Sequence, residues 1–306
     1  MHLAIQLLQI FGVVMVGYFA TKSGAWMVDM NQKMSAFVLN VTAPMLILSS
    51  VMGEGLVFET QEVLQLLLVA FLNYVVLIGG SYLVTAVWHL DPNRKGLLRF
   101  MLSFGNVSFV GFPITMALFG PRAVFYAAVL TIPFNLLIFT IGREFVAGTG
   151  SLRAAFRADK LLSPCVVASL VAVILALCKV ESPDELGQWF HLIGDMTIPG
   201  ALIIIGSTLS QIPLRAMAGN RFVYTMAFIR LLCVPMLVLA LFRTLGFAPM
   251  VTNVAAVLTG MPVAANGIMF CLKYGGDDRL MAQGIFISTL LSMFSVPLLN
   301  YILYLV

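Results

Sequence analysis

Charge is scarce in this chain. Lys, Arg, Asp and Glu together make up 10% of its 306 residues while 61% are hydrophobic, far from the roughly quarter-charged average of soluble domains, so a water-soluble globular protein is excluded. Histidine is scarcer still: only His2, His89 and His191 occur, each near the end of an apolar stretch. Cys165, Cys178, Cys233 and Cys271 all fall in apolar stretches, with no CxxC spacing and no nearby histidine. They read as free buried thiols, which excludes a disulfide framework and a zinc site. There is no GxSxG motif and no pair of carboxylates inside one apolar stretch, so neither a nucleophile elbow nor a shared-proton acid pair can be built. The sequence predicts no enzyme, no catalytic residue, no metal and no cofactor.

What the chain has is apolar length. Windows near 20 residues, each long enough for about 30 Å of hydrocarbon, recur at roughly 3–20, 34–52, 63–88, 97–119, 123–142, 161–179, 191–211, 222–242, 251–272 and 281–304. These predict a ten-span, all-α protein of the cell membrane embedded in the lipid bilayer. The first, "MHLAIQLLQIFGVVMVGYFA", lacks a basic start and a small-residue cleavage site, so a retained span is expected rather than a signal peptide. Placing alternate loops on opposite sides gathers Lys22, Lys33, Arg94, Lys95, Arg99, Arg143, Arg153, Arg157, Lys160, Arg215, Arg221, Lys273 and Arg279 on one side. The other side keeps Arg122, Lys179 and Arg243. Thirteen against three makes the first side cytoplasmic, with both termini outside and the acidic loops "GEGLVFETQE" and "VESPDE" external. The net charge of +4 is therefore a matter of topology, and no nucleic-acid partner is expected.

The chain repeats itself. "LNVTAP" (Asn40, Thr42, Pro44) returns as "GDMTIP" (Asp195, Thr197, Pro199), and Gly120 returns as Gly275, both 155 residues later. The expected division is a first five-span repeat at 1–147, a cytoplasmic linker at 148–160 and a second repeat at 161–306. Five is odd, so the second repeat enters the membrane upside down. Two apolar stretches at matching places are interrupted by helix breakers: "FGNVSFVGFP" in span 4, with Gly105, Asn106, Ser108, Gly111 and Pro113, and "TGMPVAANG" in span 9, with Gly260, Pro262, Asn266 and Gly267. Irregular backbone survives at membrane depth only where protein buries it or water reaches it. Paired interruptions in two inverted halves mark the midplane site of a secondary transporter. Asn106, Ser108, Pro113, Pro262 and Asn266 are the candidate substrate-binding residues, and Gly105, Gly111, Gly260 and Gly267 the candidate hinges.

The spacing Asn106, Gly111, Pro113, Gly120, and the run "MPVAANGIMFCLKYGGDDRLMAQGIFISTLLSMFSVPLL" with Lys273, Tyr274 and Pro297, resemble the auxin efflux carrier family, which includes plant PIN carriers and bacterial permeases. The resemblance covers essentially the whole chain. It implies a 5+5 inverted repeat whose two broken helices cross, with a scaffold of spans 1, 2, 6 and 7 and a mobile transport part of spans 3–5 and 8–10. It further implies a homodimer, elevator-like alternating access and small organic anions as cargo. There is no long hydrophilic central loop like that of many plant members, and the span 9 breaker differs from theirs, so a permease of malate or malonate type is the nearer analogy.

Arg230 fits an anion. It falls midway along span 8, where an arginine costs roughly 2.5 to 3.5 kcal/mol on insertion scales unless compensated. It could attract a carboxylate cargo, or form an ion pair with Asp195, the one carboxylate expected well inside a span. Asn40, Thr42, Asp195, Thr197 and Asn73 are candidates for gating or coupling, and Asn135 is a further polar neighbour. The alternative function is a membrane sensor that binds its ligand on a transporter fold without cycling.

Overall fold

The computed structural model describes residues 2–52, 58–88, 91–148, 163–180, 184–211 and 221–305. Arg153, Arg157, Lys160, Arg215, His89, most of the expected linker and parts of both acidic loops lie outside the described residues. The chain is nearly all helical. In order come α1 (His2–Lys22), α2 (Val28–Phe37), α3 (Ala43–Ser49), α4 (Thr60–Val87), α5 (Pro92–Ser103), α6 (Phe112–Phe119), α7 (Arg122–Leu137) and α8 (Arg143–Ala147). There follow α9 (Pro164–Cys178), α10 (Asp184–Gly194), α11 (Thr197–Ser210), α12 (Arg221–Phe228), α13 (Val234–Thr244), α14 (Pro249–Thr259), α15 (Asn266–Tyr274) and α16 (Asp278–Leu305). Among the described residues five helical runs are long and apolar enough to cross a membrane: Thr60–Val87, Arg122–Ala147, Glu185–Ser210, Arg221–Thr244 and Asp278–Tyr304. Val107–Phe119, Pro164–Cys178 and Pro249–Thr259 are shorter apolar helices.

Proline explains much of the local shape. Pro92, Pro164 and Pro249 open α5, α9 and α14, where a missing N–H costs nothing. Among the described residues four helical turns are widened, at Val38–Thr42, Val107–Gly111, Ile138–Gly142 and Ile229–Cys233. In the first, Ala43 N–H reaches back five residues to Val38 O, and in the last Val234 N–H reaches Ile229 O. Three of the four lie just ahead of a proline, at Pro44, Pro113 and Pro235. A proline ring collides with the carbonyl four residues earlier, and those carbonyls belong to Asn40, Phe109 and Leu231, the middle of each widened turn. Widening moves the offending carbonyl aside without ending the helix.

The chain divides into two compact units. The first is Met1–Leu67, Ser108–Thr131 and Leu162–Ile212. Here α1 lies along α11 at glycine contacts: a Cβ on Gly17 would meet the backbone of Ile203, and one on Gly206 that of Val14 and Tyr18. Small residues permit the backbone approach from which membrane helices gain packing energy. Gly194 likewise seats α10 against the backbone of Leu46 on α3. The starts of α4 and α7 are tied by Glu62, whose carboxylate pairs with Arg122 at 2.7 Å and accepts a bond from Tyr126. The Arg122 guanidinium also covers the Phe58 ring, 4.8 Å from its centroid.

The repeat is visible inside this unit. Thr197 Oγ1 donates to Thr42 Oγ1 at 2.9 Å, and the two buried residues are 155 positions apart. Thr42→Val is expected to cost about 1 to 3 kcal/mol, because it strands the Thr197 hydroxyl in an apolar site. Thr42→Val with Thr197→Val should recover most of that loss, since an apolar pair of the same shape strands nothing. Melting of the purified single and double variants checks this, and additive losses would contradict it.

The second unit is Leu68–Val107, Ile132–Leu161 and Pro213–Val306. Its core is aromatic. Phe104 sits amid Tyr74, Phe100, Phe134 and Phe145, with ring centroids 5.4 to 6.5 Å away, and Phe270 packs against Phe100 at 6.0 Å. Gly120 after α6, in the first unit, and Gly275 after α15 both have positive φ, 80° and 83°, which glycine adopts without strain. The 155-residue correspondence thus extends to the sign of φ, although ψ differs, -174° at Gly120 and 27° at Gly275.

Candidate functional site

The two interrupted stretches meet within the second unit. Beyond α5 the chain becomes extended at Phe104, and Gly105 forms an antiparallel bridge with Val263, between α14 and α15. Asn106 N–H donates to Pro262 O at 2.7 Å, and Ala264 N–H donates to Phe104 O at 3.0 Å. Val263 N–H donates to Ser288 Oγ on α16 at 3.0 Å. Each break therefore supplies partners for the other's backbone groups, which is how non-helical chain is tolerated in apolar surroundings. Gly105, Gly260, Pro262 and Gly267 are buried, while Asn106 and Asn266 are half-buried.

Arg230 closes this junction from behind. The widened turn Ile229–Cys233 carries it, and the side chain is 1% exposed. Its Nε donates to Met261 O at 3.1 Å and its Nη1 donates to Leu102 O. Its Nη2 lies too close to Gly105 for a Cβ to be placed there without a clash. Leu102 is in the last turn of α5, and Met261 lies two residues past the end of α14. A helix end of this kind carries about half a negative charge. Two of them roughly balance one guanidinium, which is how a cation rests here on carbonyl partners.

Asn73 is also drawn to the break. Its Oδ1 accepts from Thr259, the last residue of α14, at 3.2 Å. Asp195 lies 2.9 Å from His191 Nδ1, one turn back on its own helical run, and is exposed, as is Asn40. Ser108, Gly111 and Pro113 belong to the first unit. Gly111 has ordinary helical angles and Pro113 sits in the first turn of α6, so the break itself is Phe104–Asn106 rather than the whole decapeptide. Asn135 is half-buried on α7. Ser288, Thr259 and the carbonyls of Leu102 and Met261 were not legible beforehand: a lone Ser or Thr in an apolar helix carries no positional signal, and a backbone acceptor carries none at all.

Chemically, the junction has a cationic back and an amide-bearing edge. Asn266 is the first residue of α15, at the end of a helix where partial positive charge gathers, and Asn106 follows the bridge residue Gly105. Each carboxamide can donate two hydrogen bonds without bringing charge, a combination suited to holding an anion reversibly.

The family model described as membrane transport protein matches residues 2–155 and again 149–300. An uncharacterised transporter of Methanothermobacter thermautotrophicus is 25% identical over 97% of this chain and 97% of its own length. An uncharacterised transporter of Methanocaldococcus jannaschii is 23% identical, over 95% of this chain and 96% of its own. A Rhizobium meliloti protein provisionally named a malonate transporter is 24% identical over 66% of this chain and 65% of its own.

Proposed function

Because the chain belongs to the membrane transport protein family, the family of the auxin efflux carriers, we propose that it is a secondary transporter of small carboxylates. One observation carries the reading: two helix breaks are bonded backbone to backbone, with the half-buried amides of Asn106 and Asn266 at their edges. The cargo carboxylate is held by these two amides and the N-terminal end of α15, beside the buried Pro262. Arg230 serves the same site as the fixed cation behind it. Carboxylate as the class is further supported by the Rhizobium relative's name.

The chain spans the cell membrane ten times as a 5+5 inverted repeat, with both termini outside and the broken helices crossing at Gly105 and Val263. The Thr42–Thr197 contact and the positive φ shared by Gly120 and Gly275 support such a repeat, and the thirteen-to-three basic asymmetry supports the orientation. The protein works by elevator-like alternating access as a homodimer, following the family resemblance. Counterflow tests the function: proteoliposomes preloaded with unlabelled malonate should accumulate labelled malonate, and succinate or malate should compete. Saturable malonate binding without counterflow would instead make the protein a receptor.

A further inference from the structure

In carriers built on broken helices, unwound carbonyls and the C-terminal ends of half-helices are where a coupling cation is held. Both features are present here and already have an occupant. The ends of α5 and α14 deliver the carbonyls of Leu102 and Met261 to one point, and the Arg230 guanidinium bonds to both. The charge is tethered: it sits on a helical turn widened ahead of Pro235, and it is almost wholly buried. The space is held open for it, because Gly105 contributes no side chain where Nη2 lies. A sodium ion would need the same oxygens and would face a positive group within bonding distance of them.

We infer that Arg230 is a built-in substitute for a coupling cation, so that the protein moves its cargo without sodium. The sodium part rests on the transporter reading above; the occupancy of the carbonyl site by a tethered cation does not. It also predicts what removal of the side chain would leave: a small cavity lined by carbonyl oxygens, fit to bind a free cation.

Two measurements on the full-length protein test this separately. In the first, melting of detergent-purified wild type and of Arg230→Ala and Arg230→Lys is followed at constant ionic strength in choline, sodium or low-millimolar guanidinium chloride, with urea as the neutral control. Wild type and Arg230→Lys should melt alike in sodium and choline. Arg230→Ala should melt lower, and sodium or guanidinium should raise it saturably while urea does not. A purely structural arginine would show the loss without the cation-specific recovery, and that result overturns the proposal. Should Arg230→Ala yield no folded protein, Arg230→Gln, close to Arg in length and uncharged, takes its place under the same criterion. In the second, wild-type malonate counterflow is compared with sodium on both faces and with choline on both faces. Equal rates are expected, and a sodium requirement refutes the inference. Absence of counterflow in every medium refutes the transporter reading instead and leaves the melting result to decide the cation site.

Discussion

Gly105→Ala should be among the most damaging single-methyl additions this chain can suffer, lowering stability by about 3 to 5 kcal/mol, the range for disrupting a buried charge arrangement. The added Cβ would clash with Arg230 Nη2 and lie 3.2 Å from Met261 O. An arginine tip usually swings away from such a clash. This one cannot do so cheaply, since Nε and Nη1 are bonded to Met261 O and Leu102 O and the side chain is 1% exposed. Moving the tip leaves both carbonyls and the guanidinium unpaired in an apolar site, and each charged hydrogen bond is worth roughly 1.5 to 3 kcal/mol. The cost should therefore depend on the arginine. In an Arg230→Ala background the same Gly105→Ala change should cost less by at least about 2 kcal/mol, a coupling typical of residues in direct contact. Chemical denaturation or melting of the four proteins in the cycle measures it. Additive losses would mean that Gly105 is required for the extended bridge alone.

The contrast between these residues shows what sequence could reveal. The interruptions were legible because Gly, Pro and Asn in a 20-residue apolar run have few purely structural uses, and the 155-residue correspondence was legible in Thr42 and Thr197. Helix positions followed from apolar length, although among the described residues five runs are both long and apolar enough to cross a membrane by themselves. The exact place of the break within the decapeptide was not legible: Pro113 accompanies a widened turn, Val107–Gly111, while the extended residues lie further back at Phe104–Asn106. Arg230 reads in the sequence as needing compensation, by a carboxylate cargo or by Asp195, because side chains are what a sequence displays. Its partners proved to be carbonyls, 128 and 31 residues away. No residue type encodes a carbonyl acceptor, so only the meeting of two helix ends could disclose it. The Glu62, Arg122 and Tyr126 cluster was hidden for a related reason: its carboxylate and cation were assigned to different external loops, 60 residues apart.

Asn106→Ala is expected to weaken malonate binding by about 1 to 3 kcal/mol, the usual loss when a hydrogen bond to a charged group is removed from a desolvated site, or roughly five- to 150-fold in Kd. Its effect on folding should be small by comparison. The Asn106 backbone N–H is bonded to Pro262 O at 2.7 Å in the junction, and alanine retains that N–H. The side chain is half-buried beside the bridge, so truncation opens no deep cavity in the aromatic core. Three variants separate the two roles. Asn106→Ala should melt near wild type while losing affinity. Asn106→Asp keeps the shape but presents a negative charge to an anionic cargo, so malonate stabilisation should vanish altogether. Asn106→Pro removes the N–H itself, and should lower the melting temperature whether or not malonate is present. Thermal titration of each purified variant with malonate reads both quantities at once. Wild-type affinity in Asn106→Ala would place the carboxylate away from this break and leave the paired interruption as an element of packing.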